Sequence, residues 1–336
     1  MLWCVLLLTT AADGGVELDK RTRELMHTEV NLALLTSVPL ETREAAFAEA
    51  FAVFENIERD LNEWKPDSAL ARINASEGKA VSAPKPVCDV LKLALDGAKR
   101  TNGLFDPTWA ALRDVWKFGS AEDGVVPSKE DVAKRCALVG YAKVKLVARK
   151  DGSCDVTLPK GMKLGLGGVV KGWGVDQVVA AWRARGLKDF YVQAGGDLYV
   201  GGLNAGRPWR VGIRDPRGEK TASFARIELS DTAFSTSGDY EHFFVKDGVR
   251  YHHLIDLRTC WPASASVSTT VLAQSATDAE FLTKAGFILG PKDGQPLMRT
   301  FKAGAVWVTP DGQVHATEGL DKRLVDVWAP SGFPAK

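Results

Sequence analysis

An Asp-Gly pair between two short β-type runs is the sequence feature that most constrains the fold of this chain. Asp247-Gly248 favours the positive φ angles of a two-residue hairpin turn, and this turn sets the pairing within residues 233–262. Counting outward from the turn places His242 opposite His253, with Cβ atoms about 5 Å apart. Three of the five histidines therefore fall in one predicted hairpin, which makes it the first candidate for chemistry.

Composition and charge are those of an ordinary globular protein. The 336 residues include 43 Lys and Arg against 42 Asp and Glu, so no net field favours nucleic acid or an acidic membrane surface as a partner. The chain carries neither an internal repeat nor a low-complexity linker. The sequence therefore predicts one interleaved α+β unit rather than two separable domains.

Residues 1–12 bear on the cellular location. They are apolar and end in small residues, as an export signal would, but they lack the basic residues that normally precede such a run. A shortened or mis-started export signal is favoured over a core strand, and an N-terminal tail is the remaining interpretation. No later segment is long enough to cross a membrane.

The five cysteines form neither a CxxC pair nor a spacing suited to zinc. They are Cys4, Cys88, Cys136, Cys154 and Cys260. A disulfide between two of the last four stays open, but buried free thiols are the expectation.

Apolar periodicity locates the main helices and strands. A first strand is predicted at 22–36, followed from Pro39 by a long amphipathic helix. The apolar stripe of that helix consists of Phe47, Phe51, Phe54, Ile57 and Leu61. Further helices are predicted at 67–74, 86–100, from Ser128, at 171–186 and from Ser275. Further strands are predicted at 144–148, 155–158, 190–194, 209–213, 224–229 and 266–272, with a last hairpin from Ala305.

A glycine-rich segment, residues 165–186, leads into one of these helices near Lys171. Free N–H groups and the helix dipole at such a terminus suit an anion. The segment matches neither the Walker motif nor GxGxxG. A phosphate site and tight packing of a strand on a helix therefore both stay open.

Seven motifs, in order, resemble the ApbE family of FAD:protein FMN transferases over about residues 22–310. They are SALARIN, GLFDPTW, GGVVKGWGVD, QAGGDLYVGG, TSGDY, HHLIDLRT and SATDAEFLTKAGFILG. The resemblance implies a single T-fold-like α+β domain over residues 22–336, with mixed sheets, packed helices and FAD in a cleft between two lobes. It also implies Mg²⁺ at the diphosphate, and transfer of FMN from FAD to a Thr or Ser hydroxyl with release of AMP. The implied partner is an acceptor protein with an FMN-binding domain of an electron-transfer complex. The implied location is outside the cytoplasm, either periplasmic or at a membrane.

The resemblance also assigns site residues. His253 is the candidate base, since a histidine of near-neutral pKa suits proton transfer, and Asp256 is expected to orient its loop rather than react. The residues expected at the cofactor are Met26, Trp64, Leu104, Phe105, Asp106, Lys171, Ser237, Asp239 and Ile255. Asp197 is a further supporting group.

The expected metal ligands depart from the family pattern. The family uses a backbone carbonyl matching Val170, together with an aspartate and a threonine on the helix after Ser275. An ungapped count puts Glu280 and Lys284 at those two positions. A lysine ammonium cannot bind a metal, but it can occupy the place of a cation beside a diphosphate. Our hypothesis is that Lys284 replaces Mg²⁺ or that metal-dependent turnover is lost, and a surface ion pair is the plain alternative.

Smaller departures lie at Gly165, where the family commonly has aspartate, and in the turn after Asp256, where Leu257 and Cys260 replace proline and glycine. Two alternatives to the transferase therefore stay open. One is a protein of the same fold that binds FAD or hydrolyses it slowly. The other is a non-catalytic accessory protein of a membrane redox complex.

Overall fold

The computed structural model describes residues 17–118 and 124–333, so the predicted export segment at residues 1–12 lies outside the described residues. The described ranges form an α+β structure, as predicted. The helices are α1 (Leu40–Leu61), α2 (Ala69–Asn74), α3 (Lys85–Arg100), α4 (Lys129–Cys136), α5 (Val170–Ala184) and α6 (Ala276–Thr300). Short 3₁₀ helices lie at Pro107–Asp114, Tyr141–Lys143 and Asp321–Arg323.

Eighteen strands are present in the described ranges. In the first half of the chain they are β1 (Leu18–Leu25), β2 (Thr28–Leu35), β3 (Val81–Ala83), β4 (Lys145–Ala148), β5 (Cys154–Thr157), β6 (Phe190–Ala194), β7 (Asp197–Gly201), β8 (Trp209–Arg214) and β9 (Ser223–Leu229). In the second half they are β10 (Thr232–Gly238), β11 (Phe243–Lys246), β12 (Val249–His252), β13 (Ile255–Asp256), β14 (Trp261–Pro262), β15 (Ser268–Ala273), β16 (Gly304–Val308), β17 (Val314–Ala316) and β18 (Leu324–Val325).

The centre of the fold is an antiparallel sheet of eight strands in the order β1-β2-β6-β7-β10-β15-β16-β17. Successive side chains of a strand point to opposite faces. Phe190 and Val192 of β6 therefore pack against the helices, while Tyr191 between them packs against the small sheet β18-β9-β8. Because both faces are covered, β6 and β7 are buried throughout, including the polar residues Gln193 and Asp197.

Helix α1 confirms its predicted stripe, since the five apolar residues are buried on one side. Helix α5 packs across α1 at very close range. A Cβ built on Gly174 would lie 2.6 Å from the Phe54 ring, and one on Gly172 would lie 2.5 Å from the Ala276 carbonyl oxygen of α6. Tight packing therefore accounts for these two glycines of the glycine-rich segment.

The single first strand predicted at 22–36 is wrong. The chain folds back at Met26-His27, so β1 and β2 form a hairpin in which Leu25 pairs with Thr28. Both turn residues have positive φ, at 54° and 58°, which side chains other than glycine adopt only at a cost. The Met26 N–H donates to the Glu58 carboxylate of α1 at 3.1 Å. This long-range contact supports a turn that no Asn-Gly or Asp-Gly signal announces.

The expectation of free thiols is also wrong. Cys88 of α3 is bonded to Cys154 of β5, and Cys136 of α4 is bonded to Cys260, four residues after Asp256. The partners lie 66 and 124 positions apart in sequence, so local spacing carries no trace of the pairing. The second bond fastens the loop that follows β13 to α4.

The hairpin at Asp247-Gly248 is confirmed. Lys246 pairs with Val249 across a turn whose φ angles are 51° and 76°. Pairing continues beyond the strands, because the His253 N–H donates to the His242 carbonyl at 3.0 Å. Within residues 17–118 and 124–333, no helix is both long and apolar enough to span a bilayer.

Candidate active site

The hairpin brings its three histidines together but uses them differently. Both ring nitrogens of His252 are engaged, one with the Ala263 carbonyl at 2.9 Å and one with the Leu254 N–H at 3.3 Å. The rings of His242 and His253 meet edge to face at 5.3 Å. The Nδ1 atom of His253 is buried and has no hydrogen-bond partner in the described part of the chain. Among the described residues, His253 is therefore the histidine with a buried ring nitrogen that no protein group satisfies.

The electrostatic surroundings of His253 favour a neutral imidazole. Burial is the main cause that lowers its pKa, to about 3, and His242, His252 and Lys284 lower it further. The pKa of His242 is also lowered, first by burial and then by the positive charge of Lys171. Lys171 thus lowers the pKa of His242, and Lys284 lowers that of His253. The lysines lie on α5 and α6, whereas the histidines lie on the hairpin.

Glu280 of α6 is the centre of this charge cluster. Its carboxylate is fully buried and accepts hydrogen bonds from Lys171 Nζ at 2.8 Å and from the Gly172 N–H at 2.9 Å. Gly172 lies in the first turn of α5, so the positive end of that helix does hold an anion. The anion is a carboxylate of the chain itself.

Lys171 is enclosed by acceptors. Its ammonium also donates to the Gly167 carbonyl at 2.7 Å and lies 3.6 Å from Asp197 Oδ2. Burial disfavours the charge, but the carboxylates of Glu280 and Asp197 raise the pKa of Lys171 above its ordinary value. Burial and the nearby Glu280 in turn raise the pKa of Asp197 to about 6. Lys171 is therefore the counter-ion of two buried carboxylates.

Lys284 is held differently. Its Nζ donates to the Glu280 backbone carbonyl at 2.7 Å and lies 3.9 Å from the nearest Glu280 carboxylate oxygen. Its side chain is 24% exposed, and burial lowers its pKa. Among the described residues, the Glu280 carbonyl is the only acceptor within hydrogen-bonding distance of this ammonium. Two of its three N–H groups are therefore left for a ligand or for water.

The predicted Mg²⁺ ligands do not fit Mg²⁺ in this arrangement. Mg²⁺ needs oxygen ligands in near-octahedral geometry, whereas the ammonium at position 284 supplies none and the Glu280 carboxylate is already paired with Lys171. A divalent ion about 4 Å from an ammonium is repelled by about 8 kcal/mol at an effective dielectric constant of about 20. Val170, whose backbone carbonyl is the third expected ligand, is the first residue of α5. Across the described ranges, no three His, Cys, Asp or Glu side chains are grouped as metal ligands.

Four of the residues predicted at the cofactor, Trp64, Leu104, Phe105 and Asp106, lie in the GLFDPTW loop or just after the end of α1. Phe105 is buried against Phe281 at 5.8 Å between ring centroids, with Leu104 partly buried nearby. Trp64 is 70% exposed, and the Arg113 guanidinium lies 5.2 Å from the centroid of its ring. An exposed indole of this kind offers a face for stacking.

Asp106 has a structural part in the same loop. Its buried carboxylate accepts hydrogen bonds from the Thr108 N–H and hydroxyl and from the Tyr141 N–H. These contacts use both oxygens, so the side chain orders the loop. Gly165 packs against this region, because a Cβ there would lie 3.0 Å from Arg113 and from Trp109.

The remaining residues predicted at the cofactor make contacts within the protein that support the site. The Ser237 hydroxyl donates to Thr283, which donates to the Glu280 carbonyl, and this chain of bonds joins β10 to α6. Asp239 forms a bidentate ion pair with Arg217 at 2.6 and 2.7 Å. Ile255 is buried in a cluster with Trp116 and Cys260.

The two carboxylate oxygens of Asp256 accept bidentate hydrogen bonds from the Arg258 guanidinium, and Oδ1 also accepts one from the Arg258 backbone N–H. These bonds close the turn that follows β13. Asp256 thus orders its own turn, and its part in the reaction stays a prediction.

Sequence reasoning missed Asp176 of α5. Its carboxylate accepts hydrogen bonds from the N–H groups of Ala276 and Thr277, at 2.7 and 2.9 Å, in the first turn of α6. Asp176 therefore caps α6 while Glu280 caps α5. The available signal for Asp176 was that it is the one acidic residue of α5, within an otherwise largely apolar helix.

Solved structures of the same fold give the class of protein. The ApbE protein of Thermotoga maritima matches with a TM-score of 0.80 at 29% identity, over 91% of this chain and 99% of that one. The apo form of the Pseudomonas stutzeri flavinyl transferase ApbE matches with a TM-score of 0.78 at 27% identity, over 92% and 97%. The fold is that of the ApbE flavin transferases.

Sequence comparison gives the family. The ApbE family model matches residues 26–307. The FAD:protein FMN transferase of Treponema pallidum (strain Nichols) is 32% identical over 345 aligned residues, which cover 96% of this chain and 94% of that protein. The FAD:protein FMN transferase of Vibrio cholerae is 30% identical over 295 residues, which cover 86% of each. This chain belongs to the ApbE family.

Proposed function

We propose that this protein is an FAD:protein FMN transferase. The observation that carries the proposal is the buried, unpartnered Nδ1 of His253, close enough to Lys284 for that positive charge to lower its pKa. A proton acceptor beside a fixed positive charge is what phosphoryl transfer to a hydroxyl requires. The names of the relatives agree with this chemistry.

The reaction is balanced without a further reactant. The hydroxyl oxygen of an acceptor Thr or Ser attacks the FMN phosphorus of FAD, and the bond from that phosphorus to the oxygen bridging the two phosphates breaks. AMP leaves with the bonding electrons, and the hydroxyl proton passes to His253. The negative charge of a bound diphosphate raises the pKa of His253, because it stabilises the imidazolium form. Substrate binding thus moves the base towards the pKa at which proton transfer is efficient.

The direct test is incubation with FAD and a candidate acceptor domain, followed by mass spectrometry of the acceptor. A mass increase of one FMN residue on a Thr or Ser, with equimolar AMP, is expected. His253→Ala should abolish transfer while FAD binding is retained, because the side chain acts on the proton rather than on the flavin. Undiminished transfer by this variant would reject His253 as the base.

A second candidate function is that of an FAD-binding protein or slow FAD pyrophosphatase of the same fold. The observation in its favour is the pairing of the Glu280 carboxylate with Lys171, beside a lysine at the second position where the family has a metal ligand. Release of free FMN and AMP with an unmodified acceptor would select hydrolysis. Binding of FAD without turnover would select the FAD-binding protein, and failure to bind FAD would leave the non-catalytic accessory protein.

The acceptor and the compartment belong to the same proposal. We infer that the acceptor carries an FMN-binding domain of an electron-transfer complex. The protein would then act outside the cytoplasm, in the periplasm or at a membrane surface. Two disulfides support an oxidising compartment, where such bonds form and persist. Cell fractionation with thiol alkylation before lysis tests this, and recovery of four reduced cysteines from the cytoplasmic fraction would contradict it.

A further inference from the structure

We propose that Lys284 is a built-in cation that binds the diphosphate of FAD in place of a divalent metal, while Lys171 neutralises the carboxylate that would otherwise hold that metal. The proposal rests on the proposed function, since FAD is the ligand in both. It assigns the two lysines different roles. Lys171 neutralises charge inside the protein, whereas Lys284 binds the ligand.

The hydrogen-bond geometry separates the two roles. Lys171 has an acceptor at 2.7 Å, one at 2.8 Å and a further carboxylate oxygen at 3.6 Å. Lys284 has one close acceptor, the Glu280 carbonyl, which orients the ammonium and leaves two N–H groups. A phosphate oxygen is a strong acceptor for such a charged donor.

The surface beside Lys284 is open and formed by glycine. A Cβ built on Gly168 would lie 3.0 Å from Lys284 Cε and 3.4 Å from the Phe105 ring, so this residue lies directly under the lysine stem. A Cβ on Gly167 would meet no atom within 4 Å. The backbone at Gly167 is therefore open to a ligand beside Lys284, whereas Gly168 is covered by the lysine stem and the Phe105 ring.

Charge balance explains why a second cation is needed. Glu280 and Asp197 are buried, and the Lys171 ammonium lies 2.8 Å from a carboxylate oxygen of the first and 3.6 Å from one of the second. If Lys284 were absent, Lys171 would face two carboxylates and no positive charge would remain for a diphosphate. With Lys284 present, the buried carboxylates are opposed by Lys171 and by the positive end of α5, and the ammonium of Lys284 is left for the ligand.

An ion pair with Glu280 is the plain alternative for Lys284. The two residues have the i, i+4 spacing of a helical ion pair, but their charged atoms are 3.9 Å apart. Glu130 and Lys134 have the same spacing on exposed α4 and approach to 2.8 Å. A lysine selected for pairing with Glu280 would make the shorter contact that Lys171 makes. Lys134→Met is therefore the matched control for Lys284→Met.

The experiment measures FAD binding by fluorescence quenching and Mg²⁺ binding by calorimetry, in EDTA and in excess Mg²⁺. We expect wild-type affinity for FAD to agree within about twofold in the two buffers, and we expect no Mg²⁺ binding heat without FAD. Lys284→Met should weaken FAD binding by about ten- to a hundredfold, the effect of losing charged hydrogen bonds. It should leave affinity for riboflavin, which has no phosphate, unchanged. Lys134→Met should bind FAD like the wild type.

The outcomes separate this inference from the proposed function. Wild-type FAD binding that EDTA weakens tenfold or more, or Lys284→Met that binds FAD as the wild type does, would overturn the inference even if FMN transfer occurs with Mg²⁺. Metal-independent FAD binding without transfer to any acceptor would support the inference and overturn the transferase. Failure to bind FAD in either buffer would overturn both. Thermal unfolding of each variant shows whether a lost affinity reflects a lost fold.

Discussion

The ion pair between Glu280 and Lys171 allows a quantitative test of the charge cluster. Replacing Glu280 by Gln keeps an acceptor for the Gly172 N–H but removes the charge that opposes Lys171. Breaking a buried ion pair by deleting one partner costs about 3–5 kcal/mol. Lys171 retains the Gly167 carbonyl and a longer contact to Asp197, so the expected loss is near the lower limit, about 3 kcal/mol.

The reverse substitution should cost more. Lys171→Met leaves the Glu280 carboxylate fully buried, with the Gly172 N–H and a lysine 3.9 Å away as its remaining partners. We expect a loss of about 4 kcal/mol. In the double variant both charges are removed, so neither Glu280 nor Lys171 remains as an unpaired buried charge. Its loss should therefore also be close to 4 kcal/mol, about 3 kcal/mol less than the sum of the single losses.

Urea unfolding followed by tryptophan fluorescence measures these free energies, provided that the slope of the free energy with denaturant stays constant. The exposed pair Glu130 and Lys134 gives the control cycle, with a coupling below about 0.5 kcal/mol. Additive losses at Glu280 and Lys171, within about 0.5 kcal/mol, would refute the view that this ion pair stabilises the cluster.

Three further predictions concern other parts of the structure. Replacing Cys136 and Cys260 by Ser removes a bond between residues 124 positions apart and should lower the unfolding free energy by up to about 5 kcal/mol; an unchanged urea midpoint would be evidence against the bond. The pKa of His253 is about 3 in the fold against 6.5 ordinarily, so the unfolded chain binds more protons between these values and stability should decrease as the pH falls from about 6.5 towards 3. His253→Gln should reduce this slope in unfolding measured at several pH values, and equal slopes would count against a neutral buried imidazole. Asp176→Asn weakens the cap of α6 and should cost about 1–2 kcal/mol in urea unfolding, whereas no loss would mean that the cap contributes nothing.

Local signals accounted for most of the secondary structure. Asp247-Gly248 predicted a hairpin and its register, because a two-residue turn with positive φ strongly favours that pair. Ser128 and Ser275 each accept a hydrogen bond from the N–H three residues later, as their capping sequences predicted. These interactions lie within a few residues of chain, so sequence alone contains them.

Contacts between distant segments were beyond such reasoning. The turn at Met26-His27 lacks glycine and is supported by Glu58 of another element, so the strand pattern alone suggested one continuous strand. The disulfides depend on which helices and strands pack together. The resemblance placed His253 and Asp256, and the structure then separated His253 from His252 by the hydrogen bonds that each makes.

The sequence by itself determined the α+β class, the positions of the main helices and of several strands, the family resemblance and the unusual lysine at position 284. Tertiary structure alone decided what that lysine can do. Glu280 is held by Lys171, 109 positions away in the chain, and by the positive end of a helix that crosses its own. The physical reason is that a buried charge is governed by every group that surrounds it, and in this fold those groups come from segments that meet only after the chain has folded.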